Sequence, residues 1–147
     1  MFGVQGDLYH PSKILSEPEW QNFDTAVMSM ALHHVADPID MLRRLKQRLR
    51  PGGTLIIVEF LGKEGAKGSG ENDTENMVEV IHKQKIWPGF TTGKLESNMK
   101  TAGFEKFEVR VLDEPARIPA EARGEDFGEE QWAFFAKAVV ASESASL

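Results

Sequence analysis

A chain of 147 residues is long enough for one domain that buries roughly 68–70% of the surface its unfolded form exposes. Its net charge of -6 argues against a nucleic-acid or anionic-membrane surface, because binding phosphates needs a concentrated Lys/Arg face. With no cysteine there is no disulfide framework, thiolate nucleophile or cysteine-based metal site.

The N-terminus, MFGVQGDLYH, lacks a basic stretch followed by an apolar core, and no apolar run reaches the roughly 18 residues of a spanning helix. The expectation is a cytoplasmic protein with no membrane partner. Phe2 to Gly6 is a short apolar stretch ending at Asp7, read as a strand. Tyr9 to Asn22, punctuated by Pro11, Ser12, Ser16 and Pro18, is a surface connection. Phe23 to Met30 (FDTAVMSM) is apolar on both alternating faces, the pattern of a central strand covered on each side.

Asp37 and Pro38 supply an N-cap and a first-turn proline. Behind them Met41, Leu42, Leu45 and Leu49 recur at helical spacing against Arg43, Arg44, Lys46 and Arg48, which form the solvated face. The helix stops at Pro51-Gly52-Gly53, and Thr54 to Phe60 (TLIIVEF) follows as a β-branched strand. A strand, helix, strand succession of this length is a crossover between parallel strands.

Leu61 to Asn76 holds four glycines and many charges without periodicity, as a loop would. Met77, Val80, Ile81 and Gln84 suggest a helix ending near the turn Trp87-Pro88-Gly89. A second helix from Thr92 to Ala102 closes on Gly103. Phe104 to Leu112 and Trp132 to Val140 read as strands separated by a proline- and acid-rich excursion. The tail from 141 to 147, ASESASL, is too small and polar to pack and is read as disordered, beyond a domain at 1–140.

In open parallel sheets ligands bind beyond the carboxyl ends of the strands. That edge gathers Asp7-Leu8, Ser29 to Val35 and Glu59-Phe60. In wording, Gly6-Asp7-Leu8, Phe23-Asp24, Ala31-Leu32-His33-His34-Val35-Ala36-Asp37-Pro38, Leu49-Arg50-Pro51-Gly52-Gly53-Thr54-Leu55 and Glu59-Phe60 together resemble the class I S-adenosylmethionine-dependent methyltransferases. The turn Trp87-Pro88-Gly89-Phe90-Thr91 and the ending Ala102-Gly103-Phe104 look like the C-terminal half of that family.

The resemblance implies an α/β, partial Rossmann-like methyltransferase fold. It would have a mostly parallel sheet flanked by helices, a C-terminal antiparallel strand pair, and no counterpart of the family's first strands and glycine-rich cofactor loop. It implies S-adenosylmethionine as cofactor, with Asp7 accepting from the adenine amino group, Leu8 beside the base, and Ser29, Met30 and Ala31 along the methionine moiety. His33 or His34 would stand near the methyl-transfer line as a general base. Glu59, Trp87 and Phe90 are candidate substrate contacts, although Glu59 is read first as structural, a buried, hydrogen-bonded carboxylate or a solvent-facing strand end, and aromatic residues in a turn such as Trp87 and Phe90 more often pin it to the core than form a lid. No metal is expected, since adjacent histidines diverge and no third ligand is spaced to join them.

Three functions follow. The first is a methyltransferase acting on a small molecule, incomplete in this chain. The second is a non-catalytic pseudo-methyltransferase that binds or regulates a partner. The third is a cofactor-independent isomerase or cyclase in the remnant pocket. Without the family's first strand, Phe23 to Met30 would present an unpaired edge inviting a second copy or a protein partner.

Overall fold

The computed structural model describes residues 3–10, 12–62, 90–119 and 130–142. Its centre is the predicted strand, helix, strand unit. Strand β1 (Phe23–Ser29) runs parallel to β2 (Leu49–Phe60), and helix α1 (Pro38–Arg48) joins them. Asp37 caps that helix as its sequence suggests, its carboxylate accepting from the Asp40 N–H at 2.9 Å with Pro38 in the first turn.

Helix α2 (Thr92–Thr101) is capped in the same way by the Thr91 hydroxyl. It ends at Gly103, whose φ of +87° is the left-handed geometry that terminates helices. Strand β3 (Phe104–Val111) follows. A two-residue pair, β4 (Ala116–Arg117) and β5 (Glu130–Gln131), then lies within the acid-rich excursion, and β6 (Ala133–Val140) completes the main sheet. The sheet order is β1-β2-β6-β3, with β6 antiparallel to both neighbours. This is the α/β architecture expected, with its antiparallel C-terminal pair, but the sheet is not mostly parallel: among the described strands only β1 and β2 run parallel, because β6 inserts antiparallel beside β2.

One face of the sheet makes the core. Leu55, Ile57 and Glu59 alternate inward on β2 opposite Ala138, Ala136 and Phe134 of β6. Leu42 of α1 with Leu95 and Met99 of α2 covers them, and all three are essentially inaccessible to water. Phe90 enters the same core through a short parallel bridge with Leu61.

Four expectations change. Residues 3–7 form no strand and are exposed; Gly6 packs so closely on Leu15 that a Cβ there would lie 2.6 Å from its Cδ1, so this arm lies against a neighbouring side chain instead of pairing. Among the described residues β1 pairs only with β2. It is therefore an edge strand, not a central one, and Val27 is 63% exposed. Pro51-Gly52-Gly53 lies inside β2, where the pairing jumps from Phe23↔Leu49 to Thr25↔Thr54, so the turn chemistry makes a bulge after the helix has already ended at Arg48.

The arginines of α1 are also more than a solvated face. Arg44 donates to the Leu8 carbonyl at 2.9 Å and lies 4.8 Å over the Tyr9 ring, while Arg48 donates to the Leu15 carbonyl. These contacts dock the N-terminal arm on the helix. The expected helix at residues 77–84, the loop before it and the tail from 143 lie outside the described residues.

Candidate functional site

Strand β1 ends at Ser29, and the chain leaves the sheet through Met30 in a left-handed conformation, φ +48°. A non-glycine residue in that region is uncommon. The Met30 N–H donates to the Val58 carbonyl at 2.8 Å, which holds the strained residue against β2. Ala31 then starts a 3-10 turn, Leu32–His34, closed by hydrogen bonds from His34 N–H to the Ala31 carbonyl and from Val35 N–H to the Leu32 carbonyl.

The turn is anchored by one carboxylate. Glu59, at the carboxyl end of β2 and 0% exposed, accepts at Oε1 from the backbone N–H groups of Leu32 (2.7 Å) and His33 (3.2 Å). Its Oε2 lies 2.6 Å from Nδ1 of the His33 ring. His33 is itself buried, whereas His34 is exposed. The two rings lie 4.1 Å apart between centroids, tilted by 43°, and the Phe60 ring lies 6.1 Å from that of His33. Desolvation, and secondly the neighbouring His33, push the His34 imidazole below its ordinary proton affinity, while Glu59 pulls the other way.

Asp7 and Leu8 reach this end of the sheet through the docked arm. The Tyr9 hydroxyl donates to the carbonyl of Asp37 at 3.3 Å, three residues beyond His34. The Asp7 carboxylate accepts from Tyr9 N–H at 2.8 Å and lies 3.0 Å from His10 Nδ1. Those bonds, that to His10 first, hold it below the usual carboxylate range. It is exposed and anionic, so it remains able to accept from a ligand's amino group.

Of the residues singled out in the sequence, Ser29, Met30, Ala31, His33, His34 and Glu59 are thus assembled around one strand end. Glu59, however, has no surface with which to meet a substrate, since both oxygens are spent on the turn. Phe90 is 6% exposed and sits in the core, its N–H donating to the Phe60 carbonyl, so it pins its segment to the sheet and forms no lid. Trp87 lies outside the described residues. The burial and hydrogen bonding of Glu59 match one of the two readings its sequence allowed, while the turn it anchors had no sequence signal. The Tyr9–Arg44 contact had no sequence signal.

A family model described as a methyltransferase domain matches residues 3–109, well over half of the chain. The chain belongs to this methyltransferase family. The class I resemblance carried by Gly6-Asp7-Leu8, the His33-His34 segment and Pro51-Gly52-Gly53 therefore holds. Among curated relatives of this methyltransferase domain, the tRNA U34 carboxymethyltransferase of Pseudoalteromonas translucida is 31% identical over 100 residues, covering 68% of this chain and 30% of that protein. The chain thus spans about a third of that relative's length.

Among solved structures, human N-acetylserotonin methyltransferase superposes with a TM-score of 0.53 at 15% identity, covering 95% of this chain and 33% of that one. Phosphoethanolamine N-methyltransferase 2 of Haemonchus contortus gives 0.52 at 17% identity, covering 82% and 34%. At these identities the superpositions speak for the fold. No helix among the described residues is long and apolar enough to cross a membrane.

Proposed function

We propose that this methyltransferase domain serves transfer of the methyl group of S-adenosylmethionine to an oxygen or nitrogen of a small-molecule acceptor, with His33 as the general base. The observation that carries the reading is the Glu59–His33 pair at the carboxyl end of two parallel strands, where the exits of β1 and β2 meet. Both neighbours named above were solved with S-adenosylmethionine bound.

The residues present fit one side of that cofactor. Ser29, the outward turn at Met30 and Ala31 would flank its methionine end, and the exposed anionic Asp7, with Leu8 beside it, would take the adenine amino group. When bound, the cofactor supplies a methyl already activated on a sulfonium, so the protein's task is alignment and removal of one proton. His33 is suited to that because its second ring nitrogen, Nε2, has no hydrogen-bond partner among the described residues.

A small acceptor is favoured over RNA, the substrate class in the name of the carboxymethyltransferase relative, by charge. Beyond the net charge of -6, Arg44, Arg50, Lys100 and Lys137 are each already paired with a carboxylate. That leaves no concentrated cationic face for a phosphate backbone among them.

Calorimetric titration of the 147-residue chain with S-adenosylmethionine tests the first step. Saturable heat with a dissociation constant on the order of micromolar, about 8 kcal/mol of binding free energy, is expected. A flat trace at millimolar ligand would exclude cofactor binding by this chain. Incubation with methyl-labelled cofactor and a cell extract then separates acceptors, label being expected in the small-molecule fraction and not in RNA.

A further inference from the structure

Glu59 is the one carboxylate of the described core, and its contacts are unusually concentrated. All three go to two adjacent residues, Leu32 and His33, twenty-seven and twenty-six positions earlier in the chain. Two of them go to the same residue, Oε1 to the backbone N–H of His33 and Oε2 to its ring. Anchoring a turn to a strand end needs only the backbone contacts. The ring contact does something else, because it decides which nitrogen of a neutral imidazole keeps the proton.

Two arrangements satisfy the 2.6 Å contact. Either Glu59 is a carboxylate and Nδ1–H donates to it, or Glu59 is protonated and its O–H donates to a bare Nδ1. The backbone groups favour the first. Both Leu32 and His33 donate to Oε1, and such bonds are stronger to a carboxylate than to a neutral acid. An anion has no proton to give, so in that arrangement Nδ1 is the donor. Nδ1–H then leaves the Nε2 lone pair as the only place on a neutral ring where a proton can be accepted.

Resting on the reading of His33 as base, we infer that Glu59 is a positioning residue that holds His33 in the Nδ1–H tautomer, so that Nε2 is the proton-accepting atom. In the step this serves, the acceptor's oxygen or nitrogen forms a bond to the methyl carbon as the sulfur–carbon bond breaks. That electron pair returns to sulfur, and the acceptor's proton passes to Nε2. Ring and carboxylate together then carry no net charge, and the new imidazolium is stabilised by the anion at Nδ1. The opposite tautomer would present Nε2–H, a donor, toward any acceptor, and proton removal there would stop.

The substitution Glu59→Gln isolates this effect. A glutamine keeps an oxygen to accept from Leu32 and His33 N–H, so the anchored turn survives. Its NH₂ takes the place of Oε2, and an NH₂ beside Nδ1 can only donate, which forces the proton onto Nε2.

Long-range ¹H–¹⁵N correlation on the labelled full chain at about pH 8, above the ordinary imidazole pKa near 6.5, reads the tautomer directly. His33→Gln identifies the His33 signals among the four histidines. The expected result is a protonated Nδ1 and bare Nε2 in the wild type, inverted in Glu59→Gln. A wild-type His33 protonated on Nε2, an average of both tautomers, or no inversion in a folded Glu59→Gln would overturn the inference. Should the variant fail to give a dispersed amide spectrum, the wild-type spectrum alone decides. No cofactor or acceptor is present in the measurement, so the tautomer it reads is independent of whether the chain transfers a methyl group.

Discussion

Two adjacent histidines leave β1 with unequal surroundings, His33 enclosed by Glu59 and Phe60, His34 lying over it on the outside. The His34 pKa is lowered, chiefly by desolvation. A histidine depressed in the fold contributes stability that is complete above the unfolded value near 6.5 and is lost as pH falls through the folded value. Urea denaturation of His34→Gln at pH 7.5 and at pH 5.5 is therefore expected to show a smaller acid loss of stability than the wild type. An equal or larger loss would refute that account. Tyr9 offers a second test, being the chain's single tyrosine, with a pKa raised by burial first and then by Asp40 and Asp37. The alkaline absorbance titration near 295 nm reports it alone, and its midpoint is expected above the ordinary value of about 10, rising further in Arg44→Gln, which removes the one charge that favours the phenolate. That histidines stand at this strand end was legible in the segment Ala31 to Pro38. Which of them is enclosed was not, because the answer lies in a carboxylate twenty-six residues away.

Caps carry across from sequence to element almost unchanged, since each is a local interaction: Asp37 on α1 and Gly103 closing α2. Asp37→Ala removes the bond to Asp40 N–H and should cost about 1 kcal/mol in denaturant unfolding. The Pro51-Gly52-Gly53 segment is where local reading stopped short. Its turn chemistry is genuine, with Gly52 at φ +74°, but whether it separates two elements or bulges within one depends on Phe23 pairing with Leu49 across the sheet. The same long-range contact makes Gly53 intolerant of a side chain, because a Cβ there would lie 2.8 Å from the Arg50 carbonyl oxygen and 3.1 Å from that of Phe23. Backbone atoms cannot swing aside, so Gly53→Ala is expected to destabilise by roughly 1–3 kcal/mol, read from the urea midpoint. A change under about 0.5 kcal/mol, the range of surface substitutions, would mean that the bulge is not formed as described.

At the scale of the molecule, the sheet's two faces are treated unequally. Helices α1 and α2 cover the face of Leu55, Ile57 and Phe134, while the opposite face carries Val27, Ile56, Val58 and Phe135 in adjoining rows, since Val27 pairs with Ile56 and Val58 with Phe135. Val27 is 63% and Phe135 45% exposed. Toward β3 the same face turns polar, with Lys137 and Glu108 3.6 Å apart. An apolar strip that runs up to an edge strand is the surface on which chains associate, and we propose that the 147-residue chain in isolation does so through it. Light scattering is expected to show an apparent mass that rises with protein concentration. Because Val27 and Phe135 are so exposed, replacing both with lysine should leave the urea midpoint within about 0.5 kcal/mol of the wild type, the range of surface substitutions, while holding the mass at that of a monomer. A wild type that stays monomeric throughout, or a double variant that associates equally, would show that this face does not drive association.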